Sequence, residues 1–243
     1  MENVSFISDN IILTGRFCAP DNKKSPAVCI AHGIPAEAKP IEEKGYSALA
    51  QKFCENGLAA LVFNMRGTCS VGGTFSFTGW ASDIGNAITF LSNRKEVDKK
   101  RIWLVGFSGG AAVSVYHATN DSRVCGLVIL SCPAVLDDRI KFALEIGKTL
   151  PTLKIGNVNE VVEDGKKTSP LKWIDKISPR PLLIVHGSRD TLVKVENAHM
   201  LYEKAREPKE IKIVNADHHV RQHDDIMNDV IEWMRKMSST ATT

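Results

Sequence analysis

Six apolar runs of strand length, at residues 27–31, 59–64, 102–106, 126–131, 181–186 and 211–214, recur along the 243 residues, and most are separated by stretches of helical periodicity. Tyr46, Leu49, Ala50 and Phe53 repeat at intervals of three and four, and Asn56-Gly57 closes that segment as a C-terminal cap does. Ile84, Ala87, Ile88 and Leu91 form a second stripe, and Ile226, Val230, Ile231 and Met234 a third. Continuous apolar runs suit strands buried on both faces, and strands alternating with helices are joined most simply by parallel crossovers. The pattern predicts an α/β fold with a mostly parallel sheet of about eight strands and helices on both faces. The first two strands differ. Runs at 4–7 and 11–17 flank Ser8-Asp9-Asn10, a polar cluster of the kind that closes a hairpin, so the chain is expected to begin with antiparallel strands.

No shift in composition divides the chain, and one core can serve this length, so a single domain over 1–243 is expected. The interval 133–178 breaks the alternation. It offers a helix over 139–147 and an irregular arm through Gly156 and Gly165, and it reads as a small cap or a lid inserted after the sixth strand. The small polar residues 238–243 read as a frayed tail.

A net charge of +3, spread without any basic block, gives no sign of a nucleic-acid groove. No apolar stretch approaches the roughly 18 residues of a membrane span. The polar, acidic amino terminus lacks the basic and then apolar pattern of a secretory signal, which points to the cytoplasm. The six cysteines contain no Cys-x-x-Cys pair, and Cys29 and Cys125 lie in or beside buried runs, so reduced structural thiols are expected.

Gly106-Phe107-Ser108-Gly109-Gly110 follows the run Ile102-Trp103-Leu104-Val105 and precedes a helix-compatible run from Ala111 to Tyr116. A tight strand-to-helix turn projects its central side chain from the sheet, and flanking glycines remove the groups that would collide there. Ser108 is therefore the candidate nucleophile. A phosphate cradle is the competing reading, but no Lys-Ser/Thr ending and no Gly-x-Gly-x-x-Gly are present.

A serine hydroxyl needs a base within hydrogen-bond reach and a third group to orient that base. Asp190 follows the run 181–186 in Gly187-Ser188-Arg189-Asp190 and is the candidate acid. His218 follows the last strand in Ala216-Asp217-His218-His219 and is the candidate base, with His219 as the alternative. Asp217 is a poorer acid, since neighbouring side chains on extended backbone point apart. Acyl transfer also needs N–H donors for the developing oxyanion. Gly109, next to the nucleophile, supplies one; in His32-Gly33-Ile34-Pro35 the proline has no N–H, which makes Ile34 the second donor. His32 reads as a packed histidine bonded to nearby backbone. His219 and His223, beside Asp224 and Asp225, have a spacing that metal ligands use, but solvated residues at a helix start are the plainer reading, and no metal is expected.

Taken together, His32-Gly33, Asn64-Met65-Arg66-Gly67, the Ser108 turn, Gly187-Ser188-Arg189-Asp190 and Ala216-Asp217-His218 resemble the α/β-hydrolase superfamily over nearly the whole chain. Arg66-Gly67, Gly72-Gly73 and Trp80-Ala81-Ser82-Asp83 look most like small carboxylesterases, dienelactone-hydrolase-like proteins and the catalytic domains of acylaminoacyl or X-prolyl peptidases. The resemblance implies hydrolysis of an ester, thioester or amide in a small molecule or short peptide, through an acyl-enzyme and without a cofactor. Dienelactone hydrolases use a cysteine where this chain has Ser108, which counts against that activity. Some members of the superfamily bind ligands without hydrolysing them, and others transfer acyl groups. The resemblance also places substrate choice in 133–178, where Phe142, Leu144, Ile146, Leu150 and Trp173 can either line an acyl pocket or pack the cap.

Overall fold

In chain order the strands are β1 (Glu2–Ser8), β2 (Ile11–Cys18), β3 (Ser25–Ala31), β4 (Ala59–Phe63), β5 (Val97–Phe107), β6 (Val124–Leu130), β7 (Leu182–Gly187) and β8 (Lys209–Val214). They form one sheet, ordered β1-β2-β4-β3-β5-β6-β7-β8, in a computed structural model that describes residues 1–20, 24–35, 45–69 and 71–240. The pairs β1/β2 and β2/β4 are antiparallel and the rest are parallel. The hairpin turn falls where the polar cluster placed it. Asp9 and Asn10 both have positive φ, 47° and 64°, as a two-residue turn between right-twisted strands requires.

The helices are α1 (Tyr46–Glu55), α2 (Phe77–Ser92), α3 (Gly109–Asn120), α4 (Lys141–Gly147), α5 (Val158–Thr168), α6 (Glu196–Lys204) and α7 (Asp224–Thr240). Successive strand residues sort to opposite faces, as the two-residue period of a strand demands. Val28, Ile30, Trp103, Val105, Leu183 and Val185 pack with α1 and α7. Ala27, Cys29, Ile102, Leu104, Leu182 and Ile184 pack with α2, α3 and α6 on the other side. Both layers are continuous cores, which is why the central strands read as unbroken apolar runs.

The segment between β6 and β7 is more ordered than expected. Its supposed irregular arm contains α5, whose Val158, Val161 and Val162 are buried, and Gly165 continues their stripe. Phe77 packs against that glycine: a Cβ there would stand 3.0 Å from Phe77 Cε2, so the residue that made the arm look irregular is a packing contact. Thr78 donates to Asp164 from both its N–H and its hydroxyl, at 2.8 Å each. Backbone bonds from Cys69 to Thr152, Lys154 to Gly67 and Phe75 to Lys154 tie the segment to the loop after β4.

Two further expectations are corrected. Cys18 on β2 and Cys54 on α1 are joined in a disulfide, because the sheet order brings Cα atoms 36 positions apart in sequence to 5.9 Å. Cys29, Cys125 and Cys132 remain thiols; burial pushes those of Cys29 and Cys132 far up and that of Cys125 to about 12. The tail does not fray at 238, since α7 continues to Thr240; residues 241–243 lie outside those described. Among the described residues no helix is long and apolar enough to cross a membrane.

Candidate active site

Ser108 stands between the end of β5 and the first residue of α3 with φ 52° and ψ −120°, a backbone conformation costly for a residue with a side chain. Its surroundings over-determine it. Ser108 N–H donates to the Leu130 carbonyl at 2.9 Å, and its own carbonyl accepts the Ala112 N–H at 3.1 Å. A Cβ on Gly106 would lie 2.6 Å from both Ala111 Cα and Ser114 Oγ, and one on Gly110 would run into the His32 carbonyl oxygen. The glycines two positions either side of Ser108 are thus required by close approach, and they let the turn close tightly enough to lift the hydroxyl off the sheet.

The structure brings Ser108, His218 and Asp190 together from three strand ends. His218 Nε2 is 3.0 Å from Ser108 Oγ, and His218 Nδ1 is 2.7 Å from Asp190 Oδ2. A carboxylate can only accept, so Nδ1 carries a proton toward it and Nε2 turns a lone pair toward the serine. His219 goes elsewhere: its ring is exposed, and its N–H bonds Asp217. The Ser131 hydroxyl donates to the His218 carbonyl at 3.1 Å and helps to hold this loop.

Asp190 is buried, and burial alone raises a carboxyl. Bonds from His186 and His218 and from the Val193 N–H outweigh that and hold it well below the usual carboxylate range. His186, at the end of β7, is a site residue that sequence reasoning passed over; a histidine closing an apolar strand four positions before the acid was the available signal.

The loop after β3 lies against the Ser108 turn. A Cβ on Gly33 would be 3.2 Å from Ser108 Cβ, and Ile34 N is 3.6 Å from the Cβ position of Gly109. Gly109 opens α3, where a backbone N–H has no acceptor in a preceding turn of helix. The Tyr46 hydroxyl accepts the Gly33 N–H at 3.2 Å. His32 is the packed histidine expected: Nδ1 donates to the Gly33 carbonyl, Nε2 accepts the Met65 N–H, and the ring meets Trp80 edge-on. Arg66 pairs with Asp83 and Asp9, and Trp80 donates to its backbone oxygen. No group of three His, Cys, Asp or Glu that could hold a metal occurs among the described residues.

A family model described as the prolyl oligopeptidase family matches residues 45–239, which spans all three converging side chains. The chain belongs to that family. YqkD of Bacillus subtilis strain 168, itself uncharacterized, is 26% identical over 235 residues, covering 92% of this chain and 75% of YqkD. The α/β-hydrolase GrgF from Penicillium sp. sh18 superposes with a TM-score of 0.81 at 18% identity, over 97% of this chain and 98% of that one. The esterase Pf2001 of Pyrococcus furiosus gives 0.74 at 24% identity, over 97% and 92%. The fold is that of the α/β-hydrolases, and the family is one of hydrolases.

Of the apolar residues of 133–178, some pack the cap and others face solvent. Leu144 is buried, and Trp173 packs edge-on against Tyr116. Phe142 and Ile146, one turn apart on α4, are 77% and 51% exposed.

Proposed function

We propose that this member of the prolyl oligopeptidase family is a serine hydrolase that cleaves a small carboxylic ester through a covalent acyl-enzyme. The hydrogen-bond chain from Ser108 Oγ through His218 to Asp190 supports the reading most strongly. His218 Nε2 takes the hydroxyl proton as Oγ bonds to the carbonyl carbon. The carbonyl oxygen, now negative, is received by the N–H groups of Gly109 and Ile34. Asp190, ionised throughout, stabilises the imidazolium, which returns its proton to the departing alkoxide. Water then repeats the sequence on the acyl-enzyme. No step needs a cofactor.

An ester is favoured because alkoxides leave more readily than amines, and Pf2001, similar in fold across most of this chain, is an esterase. A peptidase activity is the second reading, and the family's description favours it. Ser108→Ala is expected to abolish hydrolysis of p-nitrophenyl acetate with the thermal melt unchanged; undiminished turnover in that variant removes Ser108 from the mechanism. Comparing p-nitrophenyl esters with a prolyl p-nitroanilide separates the two substrate classes. The cytoplasmic location expected above stands against the Cys18–Cys54 bridge, since most cytosolic thiols are kept reduced. Alkylation of free thiols at the moment of lysis decides between them.

A further inference from the structure

His186 is fully buried at the end of β7 and takes no part in the reaction as written. Its Nε2 lies 2.7 Å from the Val193 carbonyl oxygen and 3.3 Å from Asp190 Oδ2. Both neighbours accept, so Nε2 carries a proton shared between them. Nδ1 is buried without a partner among the described residues, and a second proton there would have no acceptor. The rest of the carboxylate is also occupied. Oδ2 accepts His218 Nδ1–H, while Oδ1 accepts the N–H groups of Leu192 and Val193 at 2.9 and 2.8 Å. Two donors on each oxygen leave Asp190 no freedom to rotate.

We propose that His186 is a positioning residue for the acid–base pair: its Nε2 proton ties the 190–193 turn to β7 and competes with His218 for Asp190 Oδ2. Asp190 therefore meets His218 in one orientation and with less than its full charge. The proposal rests on Ser108, His218 and Asp190 acting as described above. Other charged groups near the carboxylate do not share it. Arg189 and Lys194, in the same loop, are exposed, the first bonded to the Asn215 carbonyl; Asp217 and His219, beside His218, are also exposed. The bonds that hold Asp190 below the usual carboxylate range include that from His186, in keeping with this geometry.

His186→Phe keeps an apolar ring and removes the donor, and His186→Gln returns an N–H near the Nε2 position. With p-nitrophenyl acetate, His186→Phe is expected to lower kcat about tenfold or more while KM stays within about twofold, since orientation and not binding is lost. Its acid limb of kcat/KM is expected about half a pH unit or more higher, because the whole carboxylate charge then stabilises the imidazolium and the base is lost to protonation sooner. His186→Gln should recover most of both. A folded His186→Phe with unchanged kcat and acid limb overturns the proposal, as does an equal loss in both variants with the acid limb unmoved, which leaves His186 a packing role. Ser108→Ala is assayed beside them: turnover that survives there, or is absent from the unaltered protein, contradicts the hydrolase reading itself. If His186→Phe does not fold, 15N NMR of the unaltered protein with labelled histidine serves instead. The His186 Nε2–H signal is expected to shift as His218 titrates, and an Nε2–H signal indifferent to that titration overturns the shared carboxylate.

Discussion

Around Ser108 each close neighbour fixes the backbone, whereas on α4 Phe142 and Ile146 leave 77% and 51% of their surface to solvent. The turn at 106–110 is held by two glycines that admit no Cβ, by backbone bonds to β6 and by a hydrogen bond to His218. The 133–178 segment is held at one side, where α5 meets Phe77 and Thr78 and where 152–155 bonds the loop after β4, and is open at the other. On the proposed function, the contrast separates two tasks. Chemistry needs atoms fixed to a fraction of an ångström, and substrate choice needs a surface that can change without disturbing them.

If that division holds, substitutions in the turn should be severe and those on the outer cap mild. Ser108→Ala is expected to lower kcat by about 10³-fold or more without lowering the melting temperature, measured by ester hydrolysis and calorimetry. Ser108→Gly should be equally inactive and more stable, by about 1 kcal/mol, because it relieves the φ of 52°. Gly110→Ala drives a Cβ toward the His32 carbonyl and should cost about 1–3 kcal/mol in chemical denaturation, with activity lost as the oxyanion loop is displaced.

The acid group gives a pH signature. Asp190 is held below its ordinary range in the folded state, so the stability it contributes is full above the unfolded value near about pH 4 and is lost as pH falls through the folded one. The stability gap between the unaltered protein and Asp190→Asn should therefore shrink as pH falls below about 4. The smallest effect belongs to the cap. Phe142→Ser with Ile146→Ser should move stability by no more than about 0.5 kcal/mol. The pair should lower kcat/KM several-fold for a p-nitrophenyl octanoate and leave the acetate unchanged; equal loss on both esters would break the division between turn and cap.

The same contrast governed what could be read without coordinates. β3 to β7 were visible because strands buried on both faces leave unbroken apolar runs, β1 and β2 because they flank a polar turn, and Ser108, Asp190 and His218 because they follow strand ends. β5 begins earlier than its apolar run, at Val97, because Ser25 pairs with that residue across a stretch of charged positions. α5 was missed because Gly165 and many charged residues obscure the stripe of Val158, Val161 and Val162, and only the approach of Phe77 explains the glycine. The disulfide and the bond from His186 to Asp190 depend on which elements are neighbours in space, and residue types alone do not carry that.

The central claim is that Ser108 is a nucleophile activated by His218. Intact-mass measurement after exposure to a fluorophosphonate tests it directly. One adduct per chain is expected, located on Ser108 by peptide mapping, absent from Ser108→Ala and formed far more slowly in His218→Ala. An adduct on another residue, or none on the folded protein, would contradict the account.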